Sequence, residues 1–474
     1  MTEKFRQEED SIGFLEVPEE ALYGANSLRA EQNFRITGNK MDEEFVKALV
    51  EVKKACALVN NEVGHLDDKR TKPIVEACDK LLAGENHDQI ICDPIQGGAG
   101  TSFNMNINEI LANMCNVALG GGLGIYDKVH PNDHVNEGQS TNDTIPTSGK
   151  IAMIRYFKKL KEENLRLIES LEKKAREFDD YIKMGRTQLQ DAIPIRLGQE
   201  FTAYAAPLKR DDRRFDLAIE ALSYVNLGGT AIGTGLNADR DYFDKVVPKL
   251  AQITGLDLKQ DEDLIEGTQN LDCFAYASSI LKVYALSLSK ICNDLRLLSS
   301  GPKTGIGEIV LPSMQAGSSI MPGKVNPVIP EVVNQVAFLV AGNDLTISMA
   351  VEAGQMELNA FEPVLFYKMF ESLKALKGAI NTLRINCIDG ITADKDKLRE
   401  RVETSIGIIT ALAPHIGYKK SASVAKEALK TGQSIRKIII DRKIMPEDKL
   451  ERVMDYYKMT GPGIVAEDLL EENK

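Results

Sequence analysis

The sequence predicts an all-α protein built on a bundle of long helices, and two stretches carry that prediction. In residues 146–182, apolar side chains recur at intervals of seven and four among lysines and glutamates, the pattern of a long amphipathic helix. In residues 271–298, apolar or small residues lie on nearly every side and only five charged residues interrupt them. We expect this second helix to be enclosed by other helices, from its own chain or from other chains.

The other elements follow the same logic. Alternating strand patterns are scarce, and we expect strands only near residues 12–17 and 34–38. Further helices are expected at about 331–349 and 363–385, where the helical pattern continues unbroken. Because no linker rich in Pro, Gly or Ser divides the chain, we expect its domains to share packed helices.

Composition excludes several classes of protein. The chain has 474 residues, of which 43% are hydrophobic, enough for a large core and two or three domains. Its 58 basic and 70 acidic residues give a net charge of -12, which disfavours nucleic acid and anionic membranes as partners. The seven cysteines form no CxxC pair, and we find neither a signal-peptide core nor an apolar run of about 18 residues. A cytoplasmic location is therefore expected.

Four segments rich in hydroxyls, amides and glycines precede helical patterns, and they are the candidates for a binding site. They are residues 97–106, 137–143, 317–326, and 185–191, after which we expect Pro194 to open a helix. Helix starts attract carboxylate or phosphate through unpaired N–H groups and the helix dipole. Four convergent starts would form an anion site, whereas each one alone is better explained by local helix capping.

The segment 317–326 differs from a simple cap. It begins with a glycine and two serines, has a second glycine at 323, and then places Lys324 and Asn326 two residues apart. Glycines permit hinge motion, and the lysine and asparagine can hold a carboxylate. The residue after Lys324 is Val325, so the segment does not match a phosphate-binding Walker loop.

Together, these segments resemble the aspartase and fumarase superfamily. The resemblance extends over nearly the whole chain, and its most specific motif is the signature loop GSSIMPGKVNP; the others are VPEEALYGANSLRAEQNF, GAGTSFNMNINEILAN, HPNDHVNEGQSTNDTIPT, GRTQLQDAIPIRLGQEF, GGTAIGTGLN and MTGPGIVAEDLL.

Three details distinguish branches of that superfamily. Class II fumarases usually carry a histidine in GRTHxQDA, where this chain has Gln188, and a Thr-Gly-Ser-Gly-Thr loop, where this chain has Gly-Gly-Ala-Gly-Thr at 97–101. Fumarases also tend to have a lysine before the proline of MELNAFEPV. Some aspartases share the histidine, so the three differences together, rather than Gln188 alone, place the chain closer to aspartases.

The resemblance implies a carbon–nitrogen lyase that reversibly eliminates ammonia from L-aspartate to give fumarate, through an enediolate intermediate. It implies that Ser318 is the general base. Three groups of residues match substrate-binding positions: Thr101, Ser140, Thr141 and Ser319 for the β-carboxylate, Thr187, Lys324 and Asn326 for the α-carboxylate, and Asn142 and Gln188 for the amino group. No metal or organic cofactor is implied. A serine base requires dipoles, N–H donors and the lysine to favour its alkoxide.

Histidine and arginine side chains are alternative participants. His130 and His134 lie beside the second polar segment, but a turn with hydrogen-bonded side chains explains them better. Arg29 could add positive charge near the substrate, although a salt bridge is as plausible.

The resemblance also implies a domain division and an assembly. It predicts an N-terminal domain at 1–140, a central helical bundle at 141–395 and a C-terminal helical domain at 396–474. The central bundle forms the core of a homotetramer, and each active site takes segments from three chains. Two alternatives remain at this point: a class II fumarate hydratase, and a non-catalytic structural oligomer like the lens proteins of the superfamily.

Overall fold

The computed structural model describes residues 4–471, and long helices dominate it. The helices, α1 to α17 in chain order, span Ala25–Asn33, Glu43–Glu62, Asp68–Leu82, Thr101–Ala118, Thr141–Glu177, Leu197–Leu222, Arg240–Thr254, Leu264–Gln269, Asp272–Leu298, Val328–Glu352, Glu362–Asn386, Lys395–Thr404, Ile409–Ile416, Tyr418–Thr431, Ile435–Asp441, Glu447–Val453 and Asp468–Glu471. The strands, β1 to β8 in chain order, are short and pair two by two: Phe5–Asp10 with Gly13–Pro18, Ile182–Thr187 with Gln190–Arg196, Tyr224–Val225 with Lys259–Gln260, and Ile309–Val310 with Thr392–Ala393. The predicted all-α class is confirmed.

The four predicted helices are present as α5, α9, α10 and α11. Helix α5 begins five residues before the predicted start, so that Pro146 lies inside it. Proline has no N–H to donate to the carbonyl four residues earlier, which is that of Asn142. The side-chain Nδ2 of Asn226 donates to this carbonyl at 3.0 Å, and the helix therefore tolerates the proline.

The strand predictions were partly wrong. The strand near 12–17 is present as β2, paired antiparallel with β1. Residues 34–38 form no strand; instead, the backbone N–H groups of Thr37 and Gly38 donate to the carboxylate of Asp93 at 2.7 and 2.9 Å. The helix expected to open at Pro194 is also wrong, because this proline lies within β4 and α6 begins at Leu197.

The chain divides into two compact units that interleave along the sequence. Unit 1 comprises residues 1–162, 211–285 and 336–377, and unit 2 comprises 163–210, 286–335 and 378–474. In unit 1, the ring of Phe45 packs against those of Phe103 and Phe366, with centroids 5.0 and 5.1 Å apart. In unit 2, the C-terminal helices share an apolar core that also includes Met184.

Helices α9 and α10 leave large apolar side chains exposed in the single chain. On α9, the side chain of Leu286 is 53% exposed, and on α10 those of Phe338 and Leu345 are 67% and 64% exposed. Large apolar side chains left exposed along a helix are a feature of protein interfaces. Among residues 4–471, no helix is both long enough and apolar enough to cross a membrane.

Candidate active site

The first polar segment leads into α4, which begins at Thr101. Gly100 before it has a left-handed backbone, with φ of 92°, and a Cβ there would lie 3.0 Å from the side chain of Ile145 on α5. Glycine therefore allows the starts of α4 and α5 to approach closely. Thr101 is exposed, and its hydroxyl donates to the carbonyl of Gly98 at 2.7 Å. The hydroxyl must rotate before it can donate to a substrate.

The second segment leads into α5, and Ser140 caps that helix. Its Oγ accepts a hydrogen bond from the N–H of Asn142 at 3.2 Å, and its own N–H donates to Asp143 Oδ1 at 2.9 Å. This reciprocal pair is a variant of the capping box, in which the hydroxyl binds the second rather than the third N–H of the helix. The capping interpretation is therefore correct for Ser140, but an accepting hydroxyl keeps its proton free to donate elsewhere.

Thr141 and Asn142 follow in the first turn of α5. Thr141 is buried, and its Oγ1 accepts from the Nδ2 of Asn104 on α4 at 3.3 Å. The Nδ2 of Asn142 donates to the carbonyl of Ala231 at 2.6 Å. Within unit 1, the structure thus brings the starts of α4 and α5 together.

Two buried charges, one at the end of this segment and one in contact with it, were missed by the sequence reasoning. Lys53 on α2 and Asp143 are both fully buried. Lys53 Nζ donates to Asn136 Oδ1 and Gln139 Oε1, both at 2.9 Å, while Asp143 Oδ2 accepts from the N–H of Gly228 at 3.1 Å. Burial lowers the pKa of Lys53 to about 8 and raises the pKa of Asp143 to about 6.

The sequence held a signal for each of these residues. Lys53 continues the buried face of α2, three residues after Val50 and four before Ala57, at a position where an apolar residue is expected. Asp143 is the third residue after Ser140, which is the capping-box spacing.

The segment 185–191 contains the tip of the β3–β4 hairpin and is not a helix start. Thr187 pairs with Gln190, and the two residues between them, Gln188 and Leu189, have positive φ of 53° and 62°. This is the backbone of a tight two-residue turn, which normally requires Asn or Gly. Thr187 and Gln188 are exposed.

Buried ion pairs hold the hairpin beside that tip. Glu308 is buried, and its carboxylate oxygens lie 2.7 Å from Arg186 Nη2 and 3.0 Å from Lys183 Nζ. Burial alone would raise the pKa of Glu308, but the two cations hold it below its ordinary value. Arg186 directly precedes Thr187, so this cluster fixes one end of the turn.

The loop 317–326 is closed on itself. The N–H of Gly317 donates to the carbonyl of Lys324 at 3.0 Å, and Asn326 Nδ2 donates to the carbonyl of Gly317 at 2.7 Å. Ser318 Oγ accepts the backbone N–H groups of Ile320 and Met321 at 3.2 and 3.0 Å. Donors aimed at a hydroxyl oxygen stabilise negative charge on it.

The remaining side chains of the loop are exposed. Ser319 and Lys324 both face solvent in the chain. Helix α10 begins at Val328, shortly after the loop, as the sequence predicted. Within the described part of unit 2, no hydrogen bond joins Thr187 or Gln188 to this loop.

The alternative participants have local partners. His134 Nδ1 accepts the N–H of His130 at 2.8 Å, and His130 Nδ1 accepts two N–H groups of the same turn at 3.3 Å. The guanidinium of Arg29 forms an ion pair with Asp10 at 2.8 Å. These contacts agree with the structural interpretation of all three residues. Across residues 4–471, no cluster of three or more His, Cys, Asp or Glu side chains is arranged to hold a metal ion.

Known proteins match this chain over almost its whole length. A model of the lyase family matches residues 13–342, and a model of the fumarase C C-terminus matches residues 408–461. The aspartate ammonia-lyase of a Bacillus species is 49% identical, covering 98% of this chain and 100% of that protein. The aspartate ammonia-lyase of Escherichia coli is 47% identical, and the match covers the full length of both chains.

Solved structures give the same result for the fold. A fumarate lyase:delta crystallin from Brucella melitensis, bound to cobalt, has a TM-score of 0.94 at 45% identity, covering 97% of this chain and 100% of that one. A class II fumarase from Schistosoma mansoni has a TM-score of 0.93 at 32% identity, with the same coverage. The higher identity therefore lies with the ammonia-lyases, and the chain belongs to the aspartate ammonia-lyase family of the aspartase and fumarase superfamily.

Proposed function

We propose that this carbon–nitrogen lyase eliminates ammonia from L-aspartate to give fumarate, and that it also catalyses the reverse addition. The observation that carries the proposal is full-length identity of 47–50% to relatives named aspartate ammonia-lyase, against 32% to the class II fumarase. The segments that match the family's substrate-binding motifs keep their polar residues.

Ser318 is the proposed base. Removing a proton from the substrate carbon next to an ionised carboxylate places a second negative charge on that carboxylate, as an enediolate. A neutral hydroxyl is too weak a base for this step, so Ser318 must already be an alkoxide, which takes up the proton and becomes the hydroxyl. The N–H groups of Ile320 and Met321 already donate to Ser318 Oγ. Two backbone donors favour the charged form of this oxygen.

The substrate-binding residues are proposed in three sets. The β-carboxylate, which becomes the enediolate, takes donors from Thr101, Ser140, Thr141 and Ser319. The α-carboxylate is held by Thr187, Lys324 and Asn326, and the amino group by Asn142 and Gln188. Asn326 donates one amide hydrogen to the carbonyl of Gly317, and its second amide hydrogen can donate to the substrate.

We further propose a homotetramer whose active sites each draw on three chains. The exposed apolar residues of α9 and α10 support this assembly, because a second copy of the chain could bury them. Mixing two inactive variants, Thr187→Ala and Ser318→Ala, tests the shared site. A site recovers only when one particular chain supplies an unmutated Thr187 and another particular chain supplies an unmutated Ser318. In randomly mixed tetramers with equivalent sites, about one quarter of the sites meet both conditions, so about one quarter of wild-type activity is expected. Mixed tetramers as inactive as their parents would exclude shared sites.

Domain organisation and location complete the proposal. We retain the division into 1–140, 141–395 and 396–474 as a proposal. A cytoplasmic location is supported by the seven cysteines, which are all free thiols and, except for Cys273, buried. Neither a cofactor nor a metal is part of the proposed reaction.

One assay tests the function. The purified protein is incubated separately with L-aspartate and with L-malate, and fumarate is followed by its absorbance. Fumarate is expected from aspartate. Fumarate from malate alone would identify a hydratase, and no fumarate from either would favour the structural oligomer.

A further inference from the structure

Hydrogen bonds link the buried lysine of α2 to a hydroxyl of the proposed substrate cradle. Lys53 Nζ donates to Asn136 Oδ1 at 2.9 Å, and the same oxygen accepts from Asn104 Nδ2 at 3.2 Å. Asn104 Nδ2 also donates to Thr141 Oγ1 at 3.3 Å. Three hydrogen bonds thus connect the ammonium group to Thr141.

The direction of every bond in this chain follows from the lysine. An ammonium group can only donate, so the atom of Asn136 that faces Lys53 must be the amide oxygen. That oxygen requires the amide nitrogen of Asn104 to face it, and the second N–H of Asn104 then points at Thr141 Oγ1. Thr141 accepts there, so its own proton remains available to a substrate carboxylate.

A neighbouring asparagine supports the imposed direction. Asn108 Nδ2 also donates to Asn136 Oδ1, at 3.1 Å. In the described residues, the buried Oδ1 of Asn108 has no hydrogen-bond partner. An orphaned buried oxygen is costly, and its orientation is explained if Asn136 presents only an acceptor.

We propose that Lys53 is a positioning residue of the active site, which fixes the Thr141 hydroxyl as a hydrogen-bond donor to the β-carboxylate of the substrate. The inference rests on the proposed function, because it assumes that Thr141 contacts that carboxylate. Lys53 itself is fully buried and acts through Asn136 and Asn104. Its influence is greatest on the enediolate, which carries more charge than the ground-state carboxylate.

The test is a double-mutant cycle between Lys53→Met and Thr141→Val in the full-length protein. Lys53→Met removes the donor at similar length, so the amides can turn and the threonine can become misdirected. We expect kcat to fall by about tenfold to a hundredfold, with a smaller change in KM. This fall in kcat is no larger than the fall caused by removing one oxyanion-hole donor completely. In the Thr141→Val background the same change should alter kcat by less than about twofold, because no hydroxyl remains to direct.

Two further variants separate positioning from folding. Lys54→Met, on the same helix, removes a lysine that contacts Asp79 instead, and it should leave kcat and KM unchanged. Asn104→Leu breaks the chain while leaving the contacts of Lys53 with Asn136 and Gln139, and it should reproduce the loss and its dependence on Thr141. Thermal unfolding and tetramer assembly are measured for every variant. If Lys53→Met does not fold, the Asn104→Leu cycle decides.

The outcome is distinguishable from failure of the proposed function. Wild-type turnover of L-aspartate and L-malate is measured first, and the cycle is run with whichever substrate yields fumarate. Without turnover, the cycle is run on the dissociation constant of fumarate, which Thr141 also contacts. Wild-type behaviour of Lys53→Met, or an equal loss with and without the Thr141 hydroxyl, would overturn the inference.

Discussion

The polar segment of unit 1 and the loop of unit 2 hold their hydroxyls in opposite ways. In unit 1, Thr141 is buried and accepts a hydrogen bond from Asn104 on α4. The buried Lys53 and Asp143 form hydrogen bonds with other residues of the same segment. In unit 2, Ser318 is held by the backbone of its own loop, and Lys324 is exposed. The first arrangement is preorganised, whereas the second depends on local turn geometry alone.

This difference agrees with the chemistry proposed for each region. Residues that receive a developing charge act best when their donors are already oriented, because no reorganisation is then needed during the reaction. A base that must meet each new substrate can lie on an exposed loop that closes over it. Four substitutions probe this difference between the two regions.

Ser318→Ala should have the largest effect. Loss of the base is expected to lower kcat by about a thousandfold or more, since general-base catalysis contributes up to about four orders of magnitude. Fumarate binding and assembly should persist, because only backbone N–H groups of an exposed loop lose a partner. Steady-state kinetics and calorimetric fumarate binding measure the two effects. Ser313→Ala, just before the loop, is the control, and near-normal turnover by Ser318→Ala would refute the assignment.

Asp143→Asn should reveal the cost of a buried charge in unit 1. Burial raises the pKa of Asp143 from 3.8 to about 6, so the folded protein holds this proton more tightly than the unfolded chain does. The stability that the protonated carboxyl contributes is therefore present below pH 3.8 and is lost as the pH rises through 6. A shift of about two units corresponds to about 3 kcal/mol. Relative to the variant, the wild type should therefore lose about that much stability between pH 4 and 7. Thermal unfolding at several pH values measures it, and an offset independent of pH would contradict the prediction.

Gly317→Ala should damage the loop without affecting the fold. An added Cβ would clash with the carbonyl oxygen of Lys324, so the hydrogen bond between Gly317 and Lys324 has to open. Misplacement of a catalytic group by about 1 Å costs about a hundredfold in rate. The melting temperature should change little, because the loop is exposed. Gly378→Ala on α11, where nothing lies within 4 Å of the added Cβ, is the matched control. A Gly317→Ala enzyme with normal kcat would show that loop closure does not position Ser318.

These regions also show where sequence reasoning succeeds. The long helices α5, α9, α10 and α11 were predicted because the periodicity of apolar residues extends over many turns. The strand predicted at residues 34–38 is wrong because an alternating apolar pattern does not show whether a second strand lies beside it. Here the carboxylate of Asp93 accepts the backbone hydrogen bonds that a neighbouring strand would have accepted. The motifs located the polar segments of the candidate site, but not the side chains that support them.

The misses have physical causes. The β3–β4 hairpin turns at Gln188 and Leu189, which have positive φ although neither is a glycine or an asparagine, the residues that normally indicate such a backbone. Tertiary contacts such as the Arg186 and Glu308 ion pair stabilise that turn, and they are invisible in the local sequence. Lys53 was missed because a lysine is expected in solvent, and only its position on the apolar face of α2 indicates burial.

Lys324→Ala should have the smallest effect of the four, because its charge lies in an exposed loop. If the ammonium group holds the α-carboxylate equally well before and during the reaction, its loss raises KM and changes kcat little. One charge-assisted hydrogen bond in contact with solvent is worth about 1.4 kcal/mol, which is about tenfold in affinity. Salt should raise KM of the wild type but affect the variant less, because screening weakens an exposed charge pair. Lys303→Ala, at an exposed lysine before the loop, is the control. Unchanged KM in Lys324→Ala, over the same range of salt, would mean that the lysine does not contact the substrate, and loop 317–326 would then contribute its base but not its cation.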